Sequence, residues 1–200
     1  MDAPTPKAAH VWARDPLDFY IEPEWVSDRL FAVEHFEGGI LDPACGTGRI
    51  VRAAERAGLD ATGSDIEERA PGFMYALDFL SSDYPDEILF EEAGGICRNV
   101  VSNPPFRHAR PFTEKALALA DGKVAMLLPT RWMNSASTGR WLETTPLCRV
   151  WLLGPRPSMP PGAAILAGEK PGNGTVDFAW FVWMRGYQGT PRLGWLRRDG

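Results

Sequence analysis

The apolar pattern of the chain switches repeatedly between two periods. Residues 24–36 (EWVSDRLFAVEHF) place Trp25, Val26, Leu30, Phe31, Val33 and Phe36 on one stripe, the spacing of an amphipathic helix. Gly38-Gly39 stops it, and Ile40-Leu41 begins a short strand. A second helix is expected over Gly48–Ala57 (GRIVRAAERA), closed by Gly58. Strands are predicted over Leu59–Ser64 and over Gly94–Ser102 (GGICRNVVS), then a helix over Arg110–Ala120 ended by Asp121-Gly122. Lys123–Leu128 (KVAMLL) is a continuous apolar run of the kind buried on both faces of a parallel sheet, and Pro129 breaks it. Asn134–Glu143 reads as a helix, Arg149–Leu153 as a strand and Thr175–Met184 as a long aromatic strand.

Strands that alternate with helices at this spacing predict an α/β fold with a doubly wound, mostly parallel sheet. The aromatic strand near the C-terminus is expected to run antiparallel. Residues 1–200 are read as one catalytic domain, with 1–16 as a leader. Gly154–Gly174 carries five prolines and five glycines and is expected to be an exposed loop.

Composition narrows the class. The chain is 44% hydrophobic and 24% charged, as in ordinary globular domains. It contains no apolar run long enough for a membrane span. Its three cysteines, Cys45, Cys97 and Cys148, are odd in number and widely spaced. That excludes a disulfide framework and fits a cytoplasmic location. His10, His35 and His108 form no ligand pair, so no metal is expected. The net charge of −5 hides an asymmetry: residues 1–96 hold 7 Lys/Arg against 20 Asp/Glu, and residues 97–200 hold 14 against 6. A basic C-terminal half suggests an anionic partner.

Four short motifs carry the candidate chemistry. Leu41-Asp42-Pro43-Ala44-Cys45-Gly46-Thr47-Gly48 follows a strand and opens a helix. Gly46 and Gly48 clear side chains from the turn, so that a ligand can lie against the backbone. The third glycine of a dinucleotide fingerprint is replaced by Val51. Asp42 beside the turn repels pyrophosphate and attracts an ammonium or sulfonium group. Asp65, at the tip of the second strand, is placed to take both hydroxyls of a ribose, with Ile66 against a face of an adenine. In Leu77-Asp78-Phe79-Leu80, Asp78 is a candidate acceptor for the adenine amino group and Phe79 packs on the ring.

Asn103-Pro104-Pro105-Phe106 follows the apolar strand directly. An aromatic amine is a poor nucleophile because its lone pair is delocalised into the ring. Two acceptors that take both N–H hydrogens turn the lone pair towards an electrophile, and the Asn103 side-chain oxygen with the Pro104 carbonyl supplies them. Pro105 adds stiffness without an N–H, and Phe106 offers a face for a planar base. Setting acceptors in place beforehand is electrostatic preorganisation. Arg107, His108 and Arg110 put cations beside this loop, and Arg131, Arg140, Arg149 and Arg156 add to the same half as candidate phosphate contacts.

With these motifs the chain resembles class I, Rossmann-like, S-adenosylmethionine-dependent methyltransferases that act on amino groups. Its motif order is similar to the gamma arrangement of N6-adenine DNA methyltransferases, and most of all to small single-domain phage and prophage types. The likeness lies in 19–25 (FYIEPEW), 64–66 (SDI), NPPF, 123–129 (KVAMLLP), 158–162 (SMPPG) and 178–183 (FAWFVW), and spans about residues 17–196. The resemblance implies S-adenosyl-L-methionine as cofactor and adenine N6 in DNA as acceptor, with a base flipped out of the duplex. It also implies that Tyr20 and Pro23 close over the methionine end of the cofactor. Relatives carry Thr-Pro where this chain has Glu22-Pro23, and an acid there meets the ammonium but repels the carboxylate. Trp180 corresponds to the far wall of the acceptor site, while the plain reading of the aromatic strand is core. Nucleic acid, a second copy of the chain or an accessory specificity protein are the implied partners. Guanine N2 or adenine N6 in ribosomal RNA, a protein glutamine, and a catalytically silent binding partner are the alternatives.

Overall fold

The computed structural model describes residues 13–69, 74–85 and 97–199. Helix α1 (Glu24–Val33) begins after Pro23, whose extended backbone feeds the first turn. It stops before the expected Phe36, because Glu34 is already extended. Phe36 instead folds back on Phe31, with ring centroids 5.4 Å apart. Strand β1 (Gly39–Asp42) and helix α2 (Arg49–Arg56) flank the DPACGTG turn. Gly48 caps α2 in a left-handed conformation, φ 79°, which favours glycine there.

Strands β2 (Ala61–Asp65), β3 (Met74–Ala76), β4 (Cys97–Ser102) and β5 (Lys123–Pro129) follow, with α3 (Ala109–Leu119) between the last two. The expected start of β4 at Gly94 lies outside the described residues. Helix α4 (Ala136–Leu142) is capped by Ser135, whose side chain accepts from the Thr138 N–H. Strand β6 (Leu147–Gly154), helix α5 (Gly162–Leu166), strand β7 (Phe178–Met184) and strand β8 (Arg192–Arg197) complete the described elements.

The strands form one sheet in the order β3-β2-β1-β4-β5-β7-β6-β8. From β3 to β5 every pairing is parallel, β7 is antiparallel to both β5 and β6, and β8 runs parallel to β6. The expected fold class therefore holds, including the antiparallel aromatic strand. Alternation along β5 and β7 explains their unbroken apolar runs. Val124, Met126, Leu128, Phe181 and Trp183 face the α3 side of the sheet. Ala125, Leu127, Trp180 and Val182 face the side covered by α1 and α2. A strand with neighbours on both edges and helices on both faces has no wet side, so period two disappears from its sequence.

Two expectations need correction. Gly154–Gly174 is not simply an exposed loop: Pro160 accepts from the Ile21 N–H at 3.1 Å and Gly162 donates to the Phe19 carbonyl at 2.8 Å. Its middle is thus sewn to the N-terminal segment and continues into α5. Trp180 has no open face. It is fully buried, and its indole N–H donates to the Val26 carbonyl at 3.0 Å, which satisfies the one polar atom it brings into the core.

Candidate active site

The parallel half of the sheet reverses its strand order between β1 and β4, and the C-terminal ends of β1, β2 and β4 meet there. Ligands of open α/β sheets bind in the crevice at such a switch point. The crevice is a cavity of about 280 Å³ lined by Tyr20, Glu22, Asp42, Ala44, Cys45, Gly46, Asp65, Ile66, Asp78, Phe79, Asn103, Pro105, Arg107 and His108, among others. Three segments far apart in sequence are therefore brought together: 17–22, the DPACGTG turn and the NPPF loop. Pro23, Gly48, Pro104, Phe106 and Trp180 do not line it.

Asp42 ends β1 with its carboxylate almost wholly buried, accepting from Ser102 Oγ at 2.7 Å and from the Ala44 N–H at 3.2 Å. Burial pushes this carboxyl well above its ordinary range, and the nearby charges of Glu22 and Asp65 push the same way against those two hydrogen bonds. Asp65 ends β2. Its Oδ2 accepts from the Gly46 N–H at 2.8 Å, and its Oδ1 lies 3.5 Å from Arg69. Gly46 has φ 52°, and a Cβ there would meet the Phe19 ring at 2.8 Å. Phe19 in turn lies under the Arg69 guanidinium, 3.9 Å from the ring centroid. Cys45 is buried in the same turn, and its thiol is pushed far up by burial. It is held as an inert neutral group.

Ile66 is half open at the rim, and Phe79 is buried, packed on Tyr84 and Phe112 at 5.1 and 5.0 Å. Asp78 is exposed and folds back on its own loop, accepting from the Leu80 N–H at 2.9 Å. These three are at the mouth and wall expected for a flat ring.

The NPPF loop separates two recesses. Asn103 and Pro105 line the first. Phe106 lines a second, of about 210 Å³, with Arg14, Arg107, Leu128, Pro129, Arg131 and Trp132. The ring of Phe106 stacks on Tyr20 at 5.7 Å with an interplanar angle of 7°. Asn103 itself is tightly held: its Nδ2 donates to the Tyr20 carbonyl at 2.9 Å and to Glu22 Oε2 at 3.0 Å. Its Oδ1 is buried and accepts no hydrogen bond among the described residues. A backbone carbonyl can only accept, so the amide orientation is fixed by chemistry.

Some cations are already committed. Arg107 donates through Nε and its backbone N–H to Asp18 Oδ2 and through Nη2 to the Pro16 carbonyl, and Arg14 donates to Asp18 Oδ1. Burial would raise the Asp18 carboxyl, but these arginine hydrogen bonds outweigh it and hold the group below its ordinary range. This lock ties residues 14–20 to the NPPF loop. Arg149 joins Lys123 on buried Glu34, and Arg156 pairs with Asp177. The expectation that these two are phosphate contacts is weakened accordingly, whereas Arg131 makes no ion pair among the described residues and edges the second recess. Sequence reading gave Phe19 no role beyond its place in 19–25 and singled out neither Asp18 nor Arg69, although each stands four residues from a partner, Arg14 and Asp65.

No protein-family model matches the chain, and no curated protein matches it. Solved structures do. Magnesium protoporphyrin IX methyltransferase from Synechocystis PCC 6803, solved with bound SAM, superposes with TM-score 0.52 at 16% identity over 82% of this chain and 79% of that one. The 23S rRNA methyltransferase ErmE gives 0.51 at 16% identity over 86% and 71%. A structure described for the conversion of a disulfide bond into a thioacetal group during echinomycin biosynthesis gives 0.54 at 16% identity over 88% and 87%. The fold is the Rossmann-like methyltransferase fold. Among the described residues no helix is long and apolar enough to cross a membrane, and no cluster of side chains could hold a metal ion.

Proposed function

We propose that this protein is an S-adenosylmethionine-dependent methyltransferase that acts on an exocyclic amino nitrogen, with adenine N6 in DNA as the favoured acceptor. The observation that carries the reading is Asn103 Oδ1: a buried acceptor with no donor, beside the recess, on an amide whose other end is tied down. Leaving such an oxygen unsatisfied costs about 1–3 kcal/mol, and a substrate N–H removes that cost. The Pro104 carbonyl likewise takes no hydrogen bond from the described residues. It is the second acceptor an amine with two hydrogens needs.

The first recess suits the cofactor. In this reading Asp65 takes the ribose hydroxyls, Asp42 the ammonium, and Ile66, Leu77 and Phe79 the flat ring, all of them residues that line the recess. When bound, the cofactor supplies an electrophilic methyl group. The chain's residues do the rest. Asn103 and Pro104 hold both amine hydrogens and aim the lone pair across the loop, and the planar base enters the second recess, which Phe106 and Trp132 line. Transfer would form the N–C bond at the expense of the cofactor's S–CH3 bond, whose electron pair stays on sulfur, and the nitrogen would then release one proton to water, so no ground-state base is required. Arg131, which makes no ion pair among the described residues, edges this recess and suits an anionic polymer.

The test is transfer of labelled methyl to double- and single-stranded DNA, RNA and protein, followed by identification of the modified residue. N6-methyladenine in DNA is expected. Asn103→Ala is expected to cut turnover by about 10²-fold or more while calorimetry shows cofactor affinity intact. Label on oxygen or carbon, or normal turnover by the variant, would overturn the reading.

A further inference from the structure

The amide of Asn103 has one feature that methyl transfer to an amine does not by itself require: an acid on its nitrogen. The Glu22 side chain is buried, 5% exposed, and its Oε2 sits 3.0 Å from Asn103 Nδ2. The acid is not there by accident of a loose loop. Its neighbour Ile21 is bonded to Pro160, its own carbonyl takes the Arg49 guanidinium, and α1 begins two residues on. Backbone on both sides is therefore fixed before the carboxyl is placed.

Both amide hydrogens of Asn103 are consumed, one by the Tyr20 carbonyl and one by Glu22. With the carbonyl alone, the amide could turn about its last torsion at the expense of one hydrogen bond. With the acid as well, turning would press Oδ1 against two acceptors at once. A carboxyl oxygen accepting from Nδ2 also polarises the amide and makes Oδ1 a stronger acceptor.

We infer that Glu22 is a positioning residue for Asn103, holding its amide so that Oδ1 alone is presented to the substrate amine. The inference rests on the proposed amine methylation. It differs from a role in gripping the cofactor's ammonium, which would act on affinity and not through Asn103.

The experiment is a double-mutant cycle on the full chain, with turnover, calorimetric cofactor affinity and thermal melting measured for E22A, E22Q, N103A and E22A/N103A. E22A is expected to lower kcat on the order of 10²-fold, as misplacement of a reacting group does, with cofactor affinity at the wild-type value. E22Q keeps an acceptor for Nδ2 and is expected to recover most of the rate. E22A/N103A should be no slower than N103A. If the two losses multiply, or if E22A weakens cofactor binding and spares kcat, the positioning role is overturned and amine methylation is untouched. If N103A alone turns over normally, both readings fall.

A second measurement serves if E22A does not fold. In the nitrogen NMR spectrum of the wild-type protein, the Asn103 side-chain amide, identified by its loss in N103A, should show two slowly exchanging hydrogens. Exchange of both at the rate of a solvated amide would overturn the inference.

Discussion

Asp42 illustrates at the residue scale how a site is kept at a cost to the fold. An unfolded aspartate titrates near about 3.9, and burial raises the folded group well above that value. The ionised form is therefore disfavoured by folding. That penalty is complete above the folded pKa and fades as pH falls towards the unfolded one. Asp42→Asn keeps an oxygen for Ser102 Oγ and the Ala44 N–H and removes the charge. A rise in Tm of about 2–4 °C, the equivalent of ~1 kcal/mol in a chain of this size, is expected at pH 8. The rise should vanish near pH 4, and cofactor affinity should fall at pH 8, where the wild-type group can carry its charge. Scanning calorimetry at the two pH values checks it, and a lower Tm at pH 8 would mean that the charge is better solvated than its burial implies. Residues were also where sequence reading was most uneven. Asp42, Asp65 and Asn103 were legible because each ends a strand and opens a loop of unusual composition. The contact of Glu22 with Asn103 was not, since 81 residues separate them and nothing local marks an acid that points inward.

At the scale of elements, the Pro160–Gly162 stretch is a roof over Phe19 and braces the backbone of Phe19 and Ile21, which line the first recess. A Cβ on Gly162 would stand 1.9 Å from the Phe19 ring, which is itself wedged against Gly46 and Arg69. Gly162→Ala must displace Phe19, and overpacking of this kind costs about 1–3 kcal/mol. A lowered Tm together with weakened cofactor binding is the expected outcome, read from melts with and without ligand. Equal losses of Tm in both would show that the roof does not touch the ligand site. Most elements could be read from periodicity, because their buried stripes or runs are long. β8 could not: in Arg192–Arg197 only Leu196 is buried, while Leu193 and Trp195 are exposed. An edge strand of that kind shows no alternation to detect. The aromatic run of β7 could be read as a strand, but its burial on both faces follows only from its place between β5 and β6. That is why Trp180 belongs to the core and not to an acceptor wall.

For the whole molecule, the acidic N-terminal half and the basic C-terminal half meet at the NPPF loop. Five acids of the N-terminal half line the first recess, together with Arg49, Arg69 and Arg107, and Arg131 of the basic half edges the second. Nucleic-acid binding is expected to weaken linearly in log Kd against log salt. Arg131→Ala should reduce that slope by about 1 and weaken all sequences alike. Fluorescence anisotropy over a salt series checks this, and an unchanged slope would remove Arg131 from the polymer's path. The fold class was legible from the order of elements, whereas the two-recess arrangement was not, since it depends on the N-terminal segment crossing to the far side of the loop.

The roof also has a consequence in time. Chains emerge from the ribosome N-terminus first, and the strands that carry Asp42, Asp65 and Asn103 are made before residue 104. The stretch around Pro160, which braces Phe19 and Ile21 beside them, comes later, and β7 must arrive before β6 and β8 can join the sheet. The chemistry-bearing residues are thus synthesised early and completed late. A truncated chain ending before Gly162 carries every residue of the proposed reaction and still lacks the brace on Phe19 and strand β7 at the centre of the sheet.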